Sequence, residues 1–410
     1  VQANKTYFHK REIEGADSAR ILQQLINWPS TQKFKQIVAG NQLRNCNVTV
    51  DDINRADAIY GPQIPMLKGK TVRKRPEHTQ HRARVPIPPP ILEEHREVRL
   101  FMDYFFVNGR VFYHTLSDLI DFRTAQDCKG RGKTECRNHL DDVVNKYESR
   151  GFKITEYHGD NEFSHLENYV LPAATHICAA GEHVPEIERS VRTTKERVRC
   201  TVHSMPYKRL PNLMMKHIVL DATYWLNAFA SANGVSNTMS PLNIVLGNPS
   251  PDCKHLKLRA GAYVQLYVGT KNTTKSRTIG AIALRKSNES GGYYFMSLKT
   301  GKELHGSEWT ELPIDENIIT RVEGMAEAEG QPVMASGPIF EWSPGVPILD
   351  DDEDDENENN DVNEDIDEIE DDDVDSEADD ASEDGSAIEL QEEEEDEDDN
   401  APDGLVTQSE

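Results

Sequence analysis

Three acidic side chains lie in segments that would position them for metal chemistry. Asp103 interrupts the apolar run of residues 98–107, where a charge is costly to bury unless it is paired or binds a metal. Asp160 follows a β-prone apolar segment, so it would lie at the carboxyl end of a strand, where open α/β sheets bind ligands. Glu188 lies in the first turns of a predicted helix that begins at Pro185, a residue tolerated at that position.

Carboxylate oxygens are the ligands that Mg²⁺ and Mn²⁺ prefer. Two such ions can hold the attacking and leaving oxygens of an in-line phosphoryl displacement. The three acids therefore predict an all-oxygen site for Mg²⁺ or Mn²⁺, provided that the fold brings them together. Glu186 and Glu182 are alternatives to Glu188 as the third acid, but Arg189 and the cations beyond it favour Glu188.

The predicted helix carries a stripe of charge beside its apolar face. At 100° per residue, Glu188, Arg192, Lys195 and Arg199 fall within about 60° of one another. An acid followed by cations on one exposed helix face is typical of a surface that binds a polyanion. We therefore predict that Arg189, Arg192, Lys195 and Arg199 contact nucleic acid.

At these residues the chain resembles the Asp-Asp-Glu core of retroviral and retrotransposon integrases, most of all the integrase region of copia-like (Pseudoviridae) polyproteins. The resemblance rests on Asp103, on Gly-Asp-Asn-Glu-Phe at residues 159–163, and on Pro-x-x-Glu-Arg-x-x-Arg-Thr at residues 185–193. It covers roughly residues 1–345. It implies that Asp103, Asp160 and Glu188 are catalytic, metal-binding acids, and that Arg192 and Lys195 hold DNA ends.

The resemblance also implies a reaction and its partners. The chain would be an integrase that trims the 3′ ends of element DNA and joins them to double-stranded target DNA. It would act as a homo-oligomer in the cytoplasm and nucleus, with reverse transcriptase downstream in the polyprotein. Two other functions stay open: a decayed or co-opted DNA-binding protein, and an RNase H-like nuclease. Only 27 residues separate Asp160 from Glu188, fewer than is usual in retroviral integrases.

Hydrophobic periodicity predicts the elements that would position these residues. An α/β, RNase H-like core with a mixed five-stranded sheet is predicted for residues 91–235. It includes a hairpin around Asn108 and Gly109, a third strand at 119–122 and a helix at 133–148. The flanking regions are a helical module (1–66), a basic and proline-rich linker (67–90), an SH3-like β-barrel that would bind DNA (236–345) and a disordered acidic tail (346–410).

The charge is distributed unevenly along the chain. Its net charge is −27, yet residues 350–410 hold 34 acids and no Lys or Arg, so residues 1–349 carry +7. A basic globular part is typical of proteins that interact with nucleic acid. Within the linker we predict phosphate contacts for Lys70, Arg73, Lys74 and Arg75.

Several protein classes receive no support from the sequence. The six cysteines form no CxxC pair, so neither a disulfide framework nor a zinc site is expected. His158, His176 and His183 fit no zinc spacing, and a polar role is predicted for them. There is no apolar run of membrane-spanning length, no signal peptide, and a start at Val1 that suggests an internal piece of a longer polypeptide.

Overall fold

The structure is a computed structural model that describes residues 1–72, 84–178, 184–232, 234–269, 275–288, 291–335 and 337–348. Residues Val1–Asp350 form one unit and Asp351–Glu410 a second, which lies outside the described residues together with nearly all of the predicted acidic tail. Among the described helices, none combines the length and the apolar character needed to cross a membrane.

The chain begins with a group of helices that have a small core of their own. Ala16, Phe34, Ile53 and Ile59 are buried between them. Thr49 and Asp52 form a capping box at the start of the fourth helix, which satisfies free backbone N–H groups there. The five helices are α1 (Gln2–Lys5), α2 (Lys10–Leu25), α3 (Thr31–Ala39), α4 (Val50–Tyr60) and α5 (Ile64–Lys70).

The central part is α/β, with a mixed sheet covered by helices on both faces. Asn108 and Gly109, with φ of 51° and 77°, make the tight turn of the predicted hairpin. The elements of this part are α6 (Pro89–Glu94), β1 (Glu97–Val107), β2 (Arg110–Ser117), β3 (Arg123–Cys128), α7 (Lys133–Glu148), β4 (Lys153–Gly159), β5 (Ala174–Ile177), α8 (Pro185–His203) and α9 (Asn212–Asn227).

A second sheet follows, with five antiparallel strands in the order β10-β6-β7-β8-β9. In the described part of the chain, β9 and β10 are its edges. After this sheet, one helix and two short strands return to the central part. The elements are α10 (Pro241–Leu246), β6 (Tyr263–Tyr267), β7 (Thr278–Lys286), β8 (Tyr293–Ser297), β9 (Glu303–Gly306), β10 (Trp309–Glu311), α11 (Glu316–Ala328), β11 (Phe340–Ser343) and β12 (Val346–Pro347).

The returning strands divide one edge of β1 into two parts. β2 pairs with β1 along most of its length on the other edge. On the divided edge, β4 pairs in parallel with β1 as far as Phe101, and β11 pairs antiparallel with it from Phe106. Asp103 lies between these two pairings. Strands that separate in this way leave a crevice at their carboxyl ends, where α/β sheets bind ligands.

The two faces of the central sheet belong to different hydrophobic clusters. On one face, Met102 and Tyr104 pack with residues of α7, such as Leu140. On the other face, Phe105 packs with α8, with α9 and with residues of the second sheet such as Ile282. Because side chains alternate along a strand, Asp103 points to the second face, beneath α8.

The structure departs from the sequence predictions at several elements. The third strand is not at residues 119–122 but at Arg123–Cys128, because Leu119 and Asp121 adopt positive φ in a turn. Within the described residues the sheet has seven strands rather than five, since β11 and β12 join it. Helix α11 and strand β9 were not predicted. The chain is still in a strand at Val346, where the tail was expected to begin.

Candidate active site

The register of two parallel strands places Asp103 beside Asp160. The last paired residues of β1 and β4 are Phe101 and His158, and their rings lie 5.1 Å apart on one face of the sheet. Asp103 and Asp160 each lie two residues further on. Because strand side chains alternate with a period of two, both carboxylates project from that same face, just beyond the point where the pairing of β1 with β4 ends.

Gly159 and the turn after it determine where Asp160 lies. A Cβ atom on Gly159 would stand 2.8 Å from the Phe163 ring and 3.3 Å from the Met102 carbonyl oxygen, so this close approach requires glycine. Asp160 then caps a short 3-10 helix, Asn161–Leu166, and its Oδ1 accepts a hydrogen bond of 3.0 Å from the Glu162 amide. Phe163 is fully buried and anchors this turn in the core.

Helix α8 brings Glu188 over the two aspartates. Ile187 is buried against Phe101 and Leu116 of the central sheet. The next residue, Glu188, lies at the rim of this contact, with 17 % of its side chain exposed. The amphipathic pattern that predicted the helix therefore also sets the rotation at which it presents this acid.

A buried polar contact holds the same turn of α8 on the sheet. His114 Nε2 and Ser190 Oγ are hydrogen-bonded at 2.8 Å, and Arg123 Nε donates to the same oxygen at 3.1 Å. Burial, together with the nearby Arg123, lowers the pKa of His114 to about 3. His114 is thus a neutral ring that fixes the helix and pairs across the hairpin with Asp103.

The acids act on one another electrostatically. Burial raises the pKa of Asp103 to about 8. The Tyr104 amide, which donates to Asp103 Oδ1 at 2.7 Å, opposes this shift, whereas the charges of Asp160, Glu188 and Glu162 add to it. Like charges raise a carboxyl pKa only when they lie close by, so the fold has brought the three predicted acids into one cluster.

The cluster contains a fourth carboxylate that the sequence analysis did not single out as a site residue. Burial and the neighbouring Asp160 raise the pKa of Glu162, while Arg131 lowers it. Arg131 Nη1 donates to Glu162 Oε2 at 2.9 Å. The signal available in the sequence was the position of Glu162, two residues after Asp160 in the same turn. Arg131, between two glycines in a distant loop, gave none.

The two alternatives for the third acid are placed differently from Glu188. Glu186 is exposed and is not among the charges that raise the pKa of Asp103, whereas Glu188 is. Glu182 and His183 lie outside the described residues. Glu188 Oε2 also lies 3.7 Å from Arg192 Nη2. The geometry therefore favours Glu188 as the acid that completes the cluster.

The cationic stripe of α8 differs from the prediction at one position. Arg189 is exposed, and Arg192 and Arg199 are half-buried. Lys195, however, has only 2 % of its surface exposed, and its Nζ donates to the Ile348 carbonyl oxygen at 2.7 Å. The prediction that Lys195 belongs to an exposed stripe was wrong, because the returning end of the chain covers it.

The predicted linker cations are only partly described. Lys70 is exposed at the end of α5, and its Nζ donates to the Trp28 carbonyl oxygen. Arg73, Lys74 and Arg75 lie outside the described residues. The phosphate contacts of this segment therefore stay a prediction.

The donor chemistry of the acidic cluster fits a divalent cation. Its ligands would be the carboxylates of Asp103, Asp160 and Glu188, which are hard oxygen donors. Burial is the main cause of the raised pKa of Asp103, and the neighbouring acids add to it; a bound cation would favour the ionised carboxylate. Two tighter groups, each with all ligand atoms within 4.8 Å of one another, also occur among the described residues: Glu156, His158 and His176, and Cys128, Glu135 and His139.

Comparison with known proteins adds little. No family model and no curated protein matches this chain. Among the solved structures that are similar is the catalytic core domain of BIV integrase, with 16 % identity and a TM-score of 0.26 over 36 % of this chain and 93 % of that one. Another is the simian T-cell lymphotropic virus intasome in complex with PP2A regulatory subunit B56 gamma, with 12 % identity and a TM-score of 0.28 over 70 % of this chain and 100 % of that one. Since both TM-scores lie below 0.5, neither match bears on the function of this chain.

Proposed function

We propose that this chain is a metal-dependent polynucleotidyl transferase of the integrase type. The observation that carries the proposal is the arrangement of its acids. Asp103 and Asp160 lie two residues beyond the last pair of the parallel strands β1 and β4, and Glu188 approaches from α8 closely enough to raise the pKa of Asp103. Acids that converge beyond the paired part of two strands suit a divalent metal that acts on a phosphodiester.

The proposed chemistry consists of two in-line displacements at phosphorus. In the first, water attacks near the 3′ end of the element DNA, and the 3′ oxygen of the new terminus leaves with a proton. In the second, that 3′-hydroxyl attacks a target phosphodiester and displaces another 3′ oxygen. Bound Mg²⁺ or Mn²⁺ would supply charge stabilisation at the attacking and leaving oxygens. No protein nucleophile is required.

Different residues of the chain would bind the metal and the DNA. Asp103, Asp160 and Glu188 would hold the metal, so all three must be ionised. The pKa of about 8 for Asp103 means that metal binding releases a proton from this site near neutral pH. Arg189, Arg192 and Arg199, on the outer part of α8, would neutralise DNA phosphates, since such contacts position a duplex on a protein.

The biological setting is proposed from the sequence resemblance. The chain would be the integrase of a copia-like element, followed in the polyprotein by reverse transcriptase. It would bind element ends and target duplex as a homo-oligomer and would reach the nucleus from a cytoplasmic particle.

The decisive experiment is a strand-transfer assay with the full chain. A labelled duplex carrying the terminal sequence of the element would be incubated with plasmid and with Mg²⁺ or Mn²⁺. We expect joined product that depends on the metal and disappears in Asp160→Asn and Glu188→Gln. Glu186→Gln is the matched control, because it neutralises an exposed acid in the same helical turn and should keep activity.

Each other outcome selects a different function. Metal-dependent nicking without joining would indicate an RNase H-like nuclease. Binding of DNA by folded protein, with neither nicking nor joining under either metal, would overturn the enzymatic proposal in favour of a decayed or co-opted DNA-binding protein. Loss of activity in Glu186→Gln but not in Glu188→Gln would move the third acid to Glu186.

A further inference from the structure

A second group of ligand-type side chains lies on the opposite face of the central sheet. Cys128 is the last residue of β3, and Glu135 and His139 lie four residues apart on α7. Residues four apart share one face of a helix, here a half-buried face beside the one that packs on the sheet through Cys136 and Leu140. The Sγ, carboxylate and imidazole atoms all lie within 4.8 Å of one another.

Buried polar atoms around this group lack hydrogen-bond partners. Among the described residues, His139 Nε2, Gln126 Oε1 and the Tyr113 hydroxyl are all buried without one. The three residues are neighbours: Tyr113 pairs with Gln126 across β2 and β3, its ring stacks on His139, and Gln126 Nε2 lies 3.5 Å from the His139 carbonyl oxygen. Buried polar groups are rarely unsatisfied, and an ion or water is a common reason when they are.

We propose that Cys128, Glu135 and His139 bind a zinc ion that joins the start of α7 to the end of β3. A thiolate, an imidazole and a carboxylate are zinc ligands, and the soft thiolate selects against Mg²⁺. A tetrahedral zinc centre brings its ligand atoms to about 3.3–3.8 Å of one another, so side-chain movements of about 1 Å suffice. The site is separate from the acidic cluster, and it does not depend on the proposed enzymatic function.

The present contacts of the three ligands are compatible with this role. Cys128 Sγ lies 3.3 Å from the Gln126 carbonyl oxygen. Glu135 Oε1 accepts from the Lys129 amide at 3.1 Å and lies 3.8 Å from His139 Nε2. A bound metal must displace the thiol proton of Cys128, so binding should weaken as the pH falls.

The sequence analysis expected no zinc, because the six cysteines form no CxxC pair and His158, His176 and His183 fit no zinc spacing. The alternative group of Glu156, His158 and His176 has two histidines at 3.2 and 3.8 Å from the same carboxylate oxygen. It contains no sulfur, and its members are more exposed, with 56 % of the His176 side chain accessible. A readout specific for sulfur therefore separates the two groups.

The test is a cobalt titration of the full chain. Co²⁺ bound through a thiolate produces a sulfur-to-metal charge-transfer band, which the carboxylates of the acidic tail cannot produce. We expect this band to saturate at about one Co²⁺ per chain, to be abolished by competing zinc, and to vanish in Cys128→Ser. Cys200→Ser, at an exposed cysteine, and His176→Ala are matched controls that should keep the band.

A second variant covers the case in which Cys128→Ser does not fold, which circular dichroism of the metal-free proteins would reveal. His139→Gln keeps the thiol and should weaken cobalt binding by about tenfold or more, because one ligand of the set is lost. Absence of the band in the wild-type chain would overturn the proposal. So would a band that survives in folded Cys128→Ser, or cobalt affinity that is unchanged in His139→Gln.

Discussion

Asp103 shows how the chemistry of one residue opposes the stability of the fold. Its pKa of about 8 in the folded chain compares with about 3.9 in an unfolded one. The folded state therefore holds the proton more tightly than the unfolded state. The stability that this proton provides is complete below about pH 4 and is lost as the pH rises to about 8. A cation bound at the cluster would offset part of that loss.

We predict that Asp103→Asn stabilises the metal-free protein at pH 8 by up to a few kcal/mol, because it removes a charge that burial disfavours. The difference from wild type should shrink as the pH is lowered to about 4. Urea unfolding at several pH values measures this difference in the free energy of unfolding. Asp142→Asn, at an exposed acid of α7, is the control and should change little. The prediction would be contradicted if the free energies of unfolding of wild type and Asp103→Asn changed with pH in the same way.

Gly159 offers a second test at this scale. In Gly159→Ala the new Cβ would meet the Phe163 ring and the Met102 carbonyl oxygen, so the turn that carries Asp160 must shift. A displacement of about 1 Å costs about a hundredfold in rate, and we expect strand transfer to fall by that factor. Gly130→Ala has nothing within 4 Å of its Cβ and serves as control. Equal rates for both variants would show that Asp160 tolerates the shift.

At the scale of the element, α8 combines two tasks on different faces. Val191 and Val198 are fully buried and hold the helix on the sheet. Lys195 joins this structural face through its bond to Ile348, while Arg189 stays exposed. Cations of one helix thus differ in role according to what covers them.

We predict opposite effects for two substitutions in α8. Lys195→Ala leaves the Ile348 carbonyl oxygen without this donor and should lower the free energy of unfolding by about 1–3 kcal/mol, with little change in intrinsic DNA affinity. Arg189→Ala should weaken DNA binding and leave stability within about 0.5 kcal/mol. Chemical denaturation and fluorescence anisotropy with labelled duplex measure the two quantities. If Lys195→Ala were fully stable but bound DNA weakly, Lys195 would be a DNA contact rather than a structural residue.

At the scale of the whole molecule, charge is the property that separates its two parts. Residues 1–349 carry +7, whereas the whole chain carries −27 because of the acidic tail. Contacts with DNA phosphates depend strongly on net charge and on salt. The negative charge of the tail should therefore oppose the association of the chain with DNA.

We predict that a chain ending at residue 349 binds duplex DNA more tightly than the full chain. The gain should be largest at roughly 50 mM salt and should decline toward 200 mM, because screening weakens the repulsion. Anisotropy titrations of both chains at each salt concentration test this. Equal affinities at low salt would show that the tail does not act on DNA binding through charge.

Much of the local structure could be predicted from the sequence. The helix at 133–148 and the hairpin at Asn108 and Gly109 have strong signals, namely an apolar helical period and a two-residue turn. The third strand was misplaced, because residues 119–122 are apolar enough for a strand but form a turn that buries Ile120 and Phe122. A short apolar run does not reveal which of these it will be.

The sequence by itself determined which acids lie within apolar elements or at their ends, and so which chemistry was available. Only the tertiary structure decided that Asp103 and Asp160 share a face, that Glu162 joins them, and that Lys195 is covered. It also brought Cys128 to α7. The physical reason is that hydrophobic periodicity specifies the face of an element that is buried, whereas strand register and the path of distant segments decide which side chains meet there.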